Sequence, residues 1–344
     1  MIKDSSFFKH VKGFLTIYLP RHKCSSKNTI KSYRETINLL RIFIQEEKNI
    51  PFVKITFDIF SYDLICRFLD WLKDKRKCSK TTRNQRLAAV NSFLSYAAIH
   101  DPALMALCIR VKKIPYHKTG QRRVEYMRQT AIKAVLGQPN VAKKNGFRDR
   151  FFMILLYDTG ARVQEMLDLR LKDFQLGSST PFVYLTGKGG RTRAVPLMGK
   201  TIKHLNEYLA RFYPDGTGDN EQYLFYTTID SCKKRMSEEN VSSFIKRYGE
   251  SARKVCPDVP PRVHPHLFRH SRSMHLYQMG IPLSYIKDFL GHSNINTTSI
   301  YASADITMMK KALESVSKKD ATGKIEIPVW QGDENMILSL CGLK

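Results

Sequence analysis

Apolar positions in the first third of the chain recur at helical spacing. Across residues 25–47, Ile30, Tyr33, Ile37, Leu40 and Ile44 fall on one face, while Lys27, Lys31, Arg34 and Arg41 lie elsewhere. That period predicts an amphipathic helix. Ser61 is placed to cap a helix burying Leu64, Ile65, Phe68, Leu69 and Leu72. Ser79 is placed to cap another, with Leu87, Val90, Leu94 and Ala97 on one face; a serine hydroxyl there accepts an otherwise orphaned N–H. Residues 7–19 complete a four-helix unit, and a shorter helix follows around 102–108. Residues 109–124 hold Pro115, Gly120 and six Lys/Arg without an apolar period, and are expected to be a basic linker.

From about residue 125 the pattern changes. Residues 151–157 predict an apolar helix stopped by Thr159-Gly160, and a new helix runs through Arg162, Glu165 and Leu169. Two short strands, 182–186 and 192–197, flank Gly187-Lys188-Gly189-Gly190, a hairpin signal. Helical spacing returns over 201–212, 237–255, 267–279 and 282–290, with Gly280 and Gly291 as stops. Near the end, Ile325, Ile327 and Val329 alternate with Glu326 and Pro328 as in an edge strand. Asp333 could cap a final helix carrying Met336, Ile337, Leu340 and Cys341. The expected fold class is mainly α with a small β-hairpin or sheet, in two domains.

Charge adds a partner to that outline. The 344 residues include 57 Lys+Arg and 31 Asp+Glu, a net charge of +26. Residues 1–120 carry 23 basic and 9 acidic side chains, leaving 34 and 22 for the remainder. Both halves are basic, which suits a polyanion gripped by both. A hydrophobic content of 42% is enough for real cores. No uninterrupted apolar run approaches the ~20 residues of a spanning helix, and residues 1–20 lack the pattern of a signal peptide. Seven cysteines are scattered without metal-ligand or disulfide spacing, so reduced thiols in a cytoplasmic protein are expected.

Four stretches carry candidate chemistry, and each alone is weak. Arg162 and Glu165 lie one turn apart, as many surface ion pairs do. Lys188 sits in a glycine-flanked turn. His266, Arg269 and His270 share one helical face, with His264 nearby. A zinc reading lacks both a metalloprotease glutamate and a clear third ligand. The fourth stretch runs from Leu290-Gly291-His292 to Tyr301.

In order and spacing these stretches closely resemble the tyrosine site-specific recombinases, the family of phage integrases, Xer-type recombinases and transposon integrases. The resemblance implies Arg162, Lys188, His266, Arg269, His292 and Tyr301 as catalytic residues. Tyr301 would be the nucleophile, and Glu165 a support from behind. His270 reads as a packing or supporting residue. Phe268 and Ser271 stand where the family often has Leu and Thr, which touches nothing catalytic. The implied organisation is a helical, SAM-like core-binding domain over 1–108, the linker 109–124, a mixed α/β catalytic domain over 125–320, and a strand and helix at 321–344. The apolar face of residues 333–344 either packs on its own catalytic domain or, as the resemblance implies, docks on a neighbouring protomer. The expected organisation is that of the simpler two-domain members, without a separate arm-binding domain.

The implied activity is site-specific recombination through a 3′-phosphotyrosyl intermediate, serving integration, excision or resolution of a mobile element. It needs neither ATP, metal nor other cofactor. The implied partners are a double-stranded DNA site and further copies of the chain, a dimer per site and a tetramer in the synapse. No membrane is involved, and the expected location is the nucleoid. Lys31, Arg34, Lys80, Arg83 and Arg86, near helix starts, are candidate DNA contacts. Three other readings compete: a type IB topoisomerase, a DNA-binding regulator without catalysis, and a metal-dependent nuclease built on His264, His266 and His270.

Overall fold

The computed structural model describes residues 6–120, 124–187, 189–214, 220–230 and 232–291, and the chain divides between Arg122 and Arg123 into two units. In the first unit, α1 (Ser6–Gly13) runs directly into a π-helical stretch, Phe14–His22. Phe14 and Leu19, five residues apart, are both fully buried. A π-type turn stacks such a pair on one face. It also places Pro20, which has no N–H to give, inside the helical run. The helix expected over 7–19 therefore extends to His22.

Ser26 Oγ accepts from the Thr29 N–H at 3.3 Å and opens α2 (Lys27–Lys48). Ser61 caps α3 (Tyr62–Asp74) through the Leu64 N–H at 3.0 Å. Ser79 caps α4 (Lys80–His100) through the Thr82 N–H at 3.2 Å. Their apolar faces close over a cluster of aromatic rings, with Phe7 and Phe60 stacked at 5.2 Å and Phe14 edge-on to Phe93 at 5.4 Å. Burying each such ring stabilises the unit by about 1.5–3 kcal/mol.

The stretch expected as linker begins instead inside α5 (Met105–Lys112). Cys108 and Val111, one turn apart, are buried, and Ile114 follows them into the core. Arg110, Lys112 and Lys113 stay on the exposed side. Those basic residues hid a short apolar period.

The second unit opens with α6 (Gln129–Leu136), which the apolar pattern did not reveal, then α7 (Lys144–Thr159) and α8 (Val163–Asp168). An antiparallel sheet follows, β1 (Phe174–Gln175), β2 (Phe182–Thr186) and β3 (Thr192–Pro196), in that spatial order. Val183 faces Val195 and Thr186 faces Thr192 in its register. Val183, Leu185 and Val195 are fully buried and alternate with exposed residues, so one face of the sheet packs inward.

α9 (Gly199–Phe212) leads to a second hairpin, β4 (Tyr226–Ile229) and β5 (Cys232–Arg235). Lys233 folds back there over the rings of Tyr213 and Tyr226, at 4.7 and 4.9 Å. Ser237 caps α10 (Glu238–Val255), and α11 (Pro265–Gln278) and α12 (Leu283–Leu290) complete the described part. Phe151, Phe152, Tyr208 and Phe225 meet in the core, Phe152 against Phe225 at 4.7 Å. The architecture is mainly helical with small antiparallel sheets. Among the described residues no helix is long and apolar enough to cross a membrane. The strand expected over 325–329 and the helix from 333 lie outside the described residues.

Candidate active site

The site begins where α7 stops. Gly160 adopts φ +58°, a left-handed conformation that strains residues with a side chain, and a Cβ there would lie 2.9 Å from Phe289 Cε1. The tight turn delivers Arg162 to the start of α8. Its backbone N–H donates to Glu165 Oε2 at 2.9 Å and its Nη1 to Oε1 at 2.8 Å. A carboxylate three residues into a helix, reaching back to the capping position, satisfies a donor the helix leaves open.

Glu165 is 3% exposed and has a second cationic partner. Arg193, on β3, donates through Nη1 to Oε1 at 3.0 Å and through Nη2 to Oε2 at 2.7 Å. Burial alone would raise this carboxyl. The hydrogen bonds and charge of Arg193, then those of Arg162, outweigh it and hold the pKa at about 2. The hairpin comes close: a Cβ on Gly187 would lie 2.9 Å from Glu165 Oε1. Glycine at 187 leaves room for that approach.

Three guanidiniums then meet the end of α12, one on each of three successive carbonyls. Arg193 Nε donates to Phe289 O at 2.9 Å, Arg269 Nη2 to Leu290 O at 2.6 Å, and Arg162 Nη2 to Gly291 O at 3.4 Å. Arg269 also donates through Nη1 to Gly160 O at 2.5 Å. The last carbonyls of a helix lack intrahelical partners and carry its partial negative charge, so arginines suit them. Arg269 is 4% exposed, whereas the Arg162 side chain keeps 36% of its exposure. One cation is held fixed and the other opens to solvent.

His266 sits one position into α11. It is exposed as a residue, yet its packed surroundings push its pKa down by desolvation first. Repulsion from His264 when it is protonated, and from Arg269 and Arg162, follows, with Glu238 opposing them. His264 is also shifted down by desolvation. His270 falls to about 4 through desolvation, then His266, His264 and Arg269. Near neutral pH these imidazoles are uncharged. Among the described residues no group of three or more His, Cys, Asp or Glu could hold a metal ion.

This chain matches the model of the phage integrase family over residues 125–307, and that of the phage integrase N-terminal SAM-like domain over 11–100. The chain belongs to the phage integrase family. It is a tyrosine recombinase. A Sinorhizobium fredii protein assigned as an integrase/recombinase, y4rC, is 29% identical to it, with 92% of this chain and 93% of that protein covered. Tyrosine recombinase XerD of Staphylococcus epidermidis is 27% identical, with 86% and 94% covered. The crystal structure of XerH recombinase bound to its difH substrate shares the fold, at a TM-score of 0.65 and 20% identity over 90% of this chain and 88% of that one.

Of the residues singled out in the sequence, the structure brings Arg162, Glu165 and Arg269 together and places His266 and His270 in their electrostatic reach. Lys188, His292 and Tyr301 lie outside the described residues. Gly187 and Gly291, which precede Lys188 and His292 in the chain, are described, and both border the arginine cluster. Arg193 is the residue sequence reasoning missed in this recombinase. The signal for it is the period of β3: Arg193 shares the inward side with Val195 and Leu197, and pairs across the sheet with fully buried Leu185. A charge at such a position requires a buried partner.

In the N-terminal unit Lys31, Arg34 and Lys80 are exposed. Two further candidates need correction. Arg83 is 7% exposed and donates to Pro115 O at 3.2 Å. Arg86 donates to Ser32 O and Thr36 Oγ1 at 2.9 and 3.0 Å and pairs with Glu35 at 3.2 Å. Both arginines tie the unit's own segments together rather than projecting toward a partner.

Proposed function

We propose that this recombinase cleaves and rejoins duplex DNA through Tyr301, at a phosphate held by Arg162 and Arg269. The observation that carries the reading is the convergence of these arginines, 107 positions apart in sequence, on the adjacent carbonyls of Gly291 and Leu290. Two guanidiniums there suit the non-bridging oxygens of a phosphodiester, where the transition state gathers charge. Preorganised donors of this kind each contribute roughly 3 kcal/mol in a shielded site.

The Tyr301 oxygen attacks phosphorus while the bond to the 5′ oxygen breaks, leaving a 3′-phosphotyrosyl link and a free 5′ hydroxyl. A tyrosine hydroxyl of pKa ~10 is ionised in only about one molecule in a thousand at pH 7. It therefore needs a proton acceptor. His266 serves as that base, and its lowered pKa keeps it neutral and able to accept. Lys188 donates a proton to the leaving oxygen, and His292 bonds the phosphate. Rejoining runs the same steps backwards with a 5′ hydroxyl as attacker. The phosphotyrosine conserves the energy of the diester, so no cofactor, metal or ATP enters.

The N-terminal unit grips DNA with exposed residues such as Lys31, Arg34 and Lys80. Two copies bind a site and four form the synapse, with residues 333–344 docking on a neighbouring copy. Structures of similar fold support assembly on DNA: XerH with its difH substrate, and a lambda integrase tetramer on a Holliday junction. The deciding experiment incubates the chain in excess chelator with DNA it selects from a random-sequence duplex pool. A covalent adduct that survives denaturation, and is lost in Tyr301→Phe while binding persists, is the expected result. An adduct at the normal rate in Tyr301→Phe moves the nucleophile elsewhere.

A further inference from the structure

Arg193 touches three things that the proposed chemistry needs kept in register. Nη1 and Nη2 hold both oxygens of Glu165, the same carboxylate that orients Arg162. Nε holds the carbonyl of Phe289, three residues before His292 in the chain. Its own backbone lies in β3, opposite β2, so it moves with the hairpin whose turn contains Lys188. A guanidinium is planar with a fixed fork of donors, so these three bonds define one orientation rather than a loose attraction. The Arg193 side chain is only 13% exposed, which leaves little water to compete with them.

We propose that Arg193 is a positioning residue for strand cleavage. It locks the hairpin, the Arg162–Glu165 pair and the end of α12 into one rigid constellation. The inference rests on the catalytic reading above and deepens it. Arg193 acts through Arg162 and through the segments leading to Lys188 and His292, and itself takes no proton and holds no phosphate. A displacement of about 1 Å among reacting groups can cost on the order of a hundredfold in rate, so loss of one orienting fork is enough to be read kinetically.

Lysine at this position separates the alternatives. Arg193→Lys keeps a positive charge beside Glu165, yet a point charge does not reproduce a fork across two carboxylate oxygens and a carbonyl. The experiment is single-turnover formation of the covalent adduct on a nicked duplex bearing the sequence selected by the wild-type chain. The protein is saturating, and DNA affinity and thermal unfolding are measured alongside. The expected result is a rate constant lowered at least about tenfold at full amplitude, with affinity within about threefold of wild type. A rate constant equal to wild type, or a loss confined to amplitude, overturns the proposal and leaves Arg193 a filler of charge.

Should Arg193→Lys fail to fold, the double variant Glu165→Gln/Arg193→Gln removes both charges together. It is compared with Glu165→Gln alone. The double variant is expected to be slower than the single one, because the Phe289 anchor is lost as well; equal rates overturn the proposal. Absence of adduct from the wild-type chain overturns the catalytic reading and this inference with it. Wild-type adduct with an unchanged Arg193→Lys rate overturns this inference alone.

Discussion

Arg269, on α11, donates to the carbonyl of Leu290 at the end of α12 and, through its other terminal nitrogen, to the carbonyl of Gly160. The residue expected to clamp phosphate thus also joins two helix ends, and its neighbour Arg162 does so far less. Arg162→Ala and Arg269→Ala are both expected to lower the rate of adduct formation by at least ~10² with specific DNA binding retained. They should differ in stability. Arg269→Ala strands two buried carbonyls, a cost of about 1–3 kcal/mol each. Arg162→Ala leaves Glu165 its Arg193 partner. Thermal unfolding of the two variants checks this, and equal melting temperatures would contradict it.

The acid stability of the second unit should depend on Glu165. Its folded pKa of about 2 lies below its ordinary value of 4.5, so the native state binds fewer protons than the unfolded chain. The stabilisation is complete above about pH 4.5 and is lost as pH falls toward 2. Glu165→Gln is therefore expected to destabilise the chain at pH 7, with a gap from wild type that narrows between pH 4.5 and 2. Denaturant titrations at several pH values measure it. A gap independent of pH would show that the carboxylate charge is not the source.

The histidines give a second, separate window. His264, His266, His270 and His275 all have folded pKa values below the ordinary 6.5, His270 at about 4, and desolvation is the leading cause for each. Again the native state binds fewer protons, so stability is intact above about pH 6.5 and declines as pH drops toward 4. His270→Gln is expected to flatten that decline. His266→Ala is expected to leave DNA affinity intact and slow cleavage by 10²–10⁴, the usual contribution of a positioned base. Cleavage by His266→Ala at the wild-type rate would pass the role of base to another group.

Much of this was legible before any coordinates, and what was not has physical reasons. Helix starts at Ser61 and Ser79 follow from one local rule, a hydroxyl accepting an orphan N–H, so they could be placed to the residue, while the starts after Ser26 and Ser237 were given by the apolar period. Arg162, Glu165 and Arg269 stood out in the sequence through the order and spacing of the stretches that hold them, on which the family resemblance rests. Arg193 was not, since its importance lies in contacts to α8 and α12, 28 and 96 positions away. Arg83 and Arg86 misled for the opposite reason. A basic residue in the first turns of a helix looks the same in sequence whether it meets phosphate or a carbonyl of its own domain. The β4–β5 hairpin escaped because Cys232-Lys233-Lys234-Arg235 shows no apolar alternation, and its lysine packs on aromatic faces instead.

The distinction between projecting and internal cations yields a prediction about DNA binding. Each phosphate neutralised on duplex DNA steepens the fall of log K with log[salt] by about 0.9. Lys31, Arg34 and Lys80 are exposed and available to phosphate. Alanine at any of them is expected to reduce the slope by about one unit, with melting temperature unchanged. Arg86 has a side chain 15% exposed, and its terminal nitrogens Nη1 and Nη2 donate to Ser32, Thr36 and Glu35. Arg86→Ala should therefore leave the slope within error of wild type and instead destabilise the N-terminal unit by roughly 1 kcal/mol, the usual net worth of an intramolecular hydrogen bond, since Ser32 O keeps the Thr36 hydroxyl as a donor. Binding isotherms at several salt concentrations, with thermal unfolding of the same full-length variants, test both halves. A slope reduced by a full unit in Arg86→Ala, with stability unchanged, would return that arginine to the DNA-contacting set.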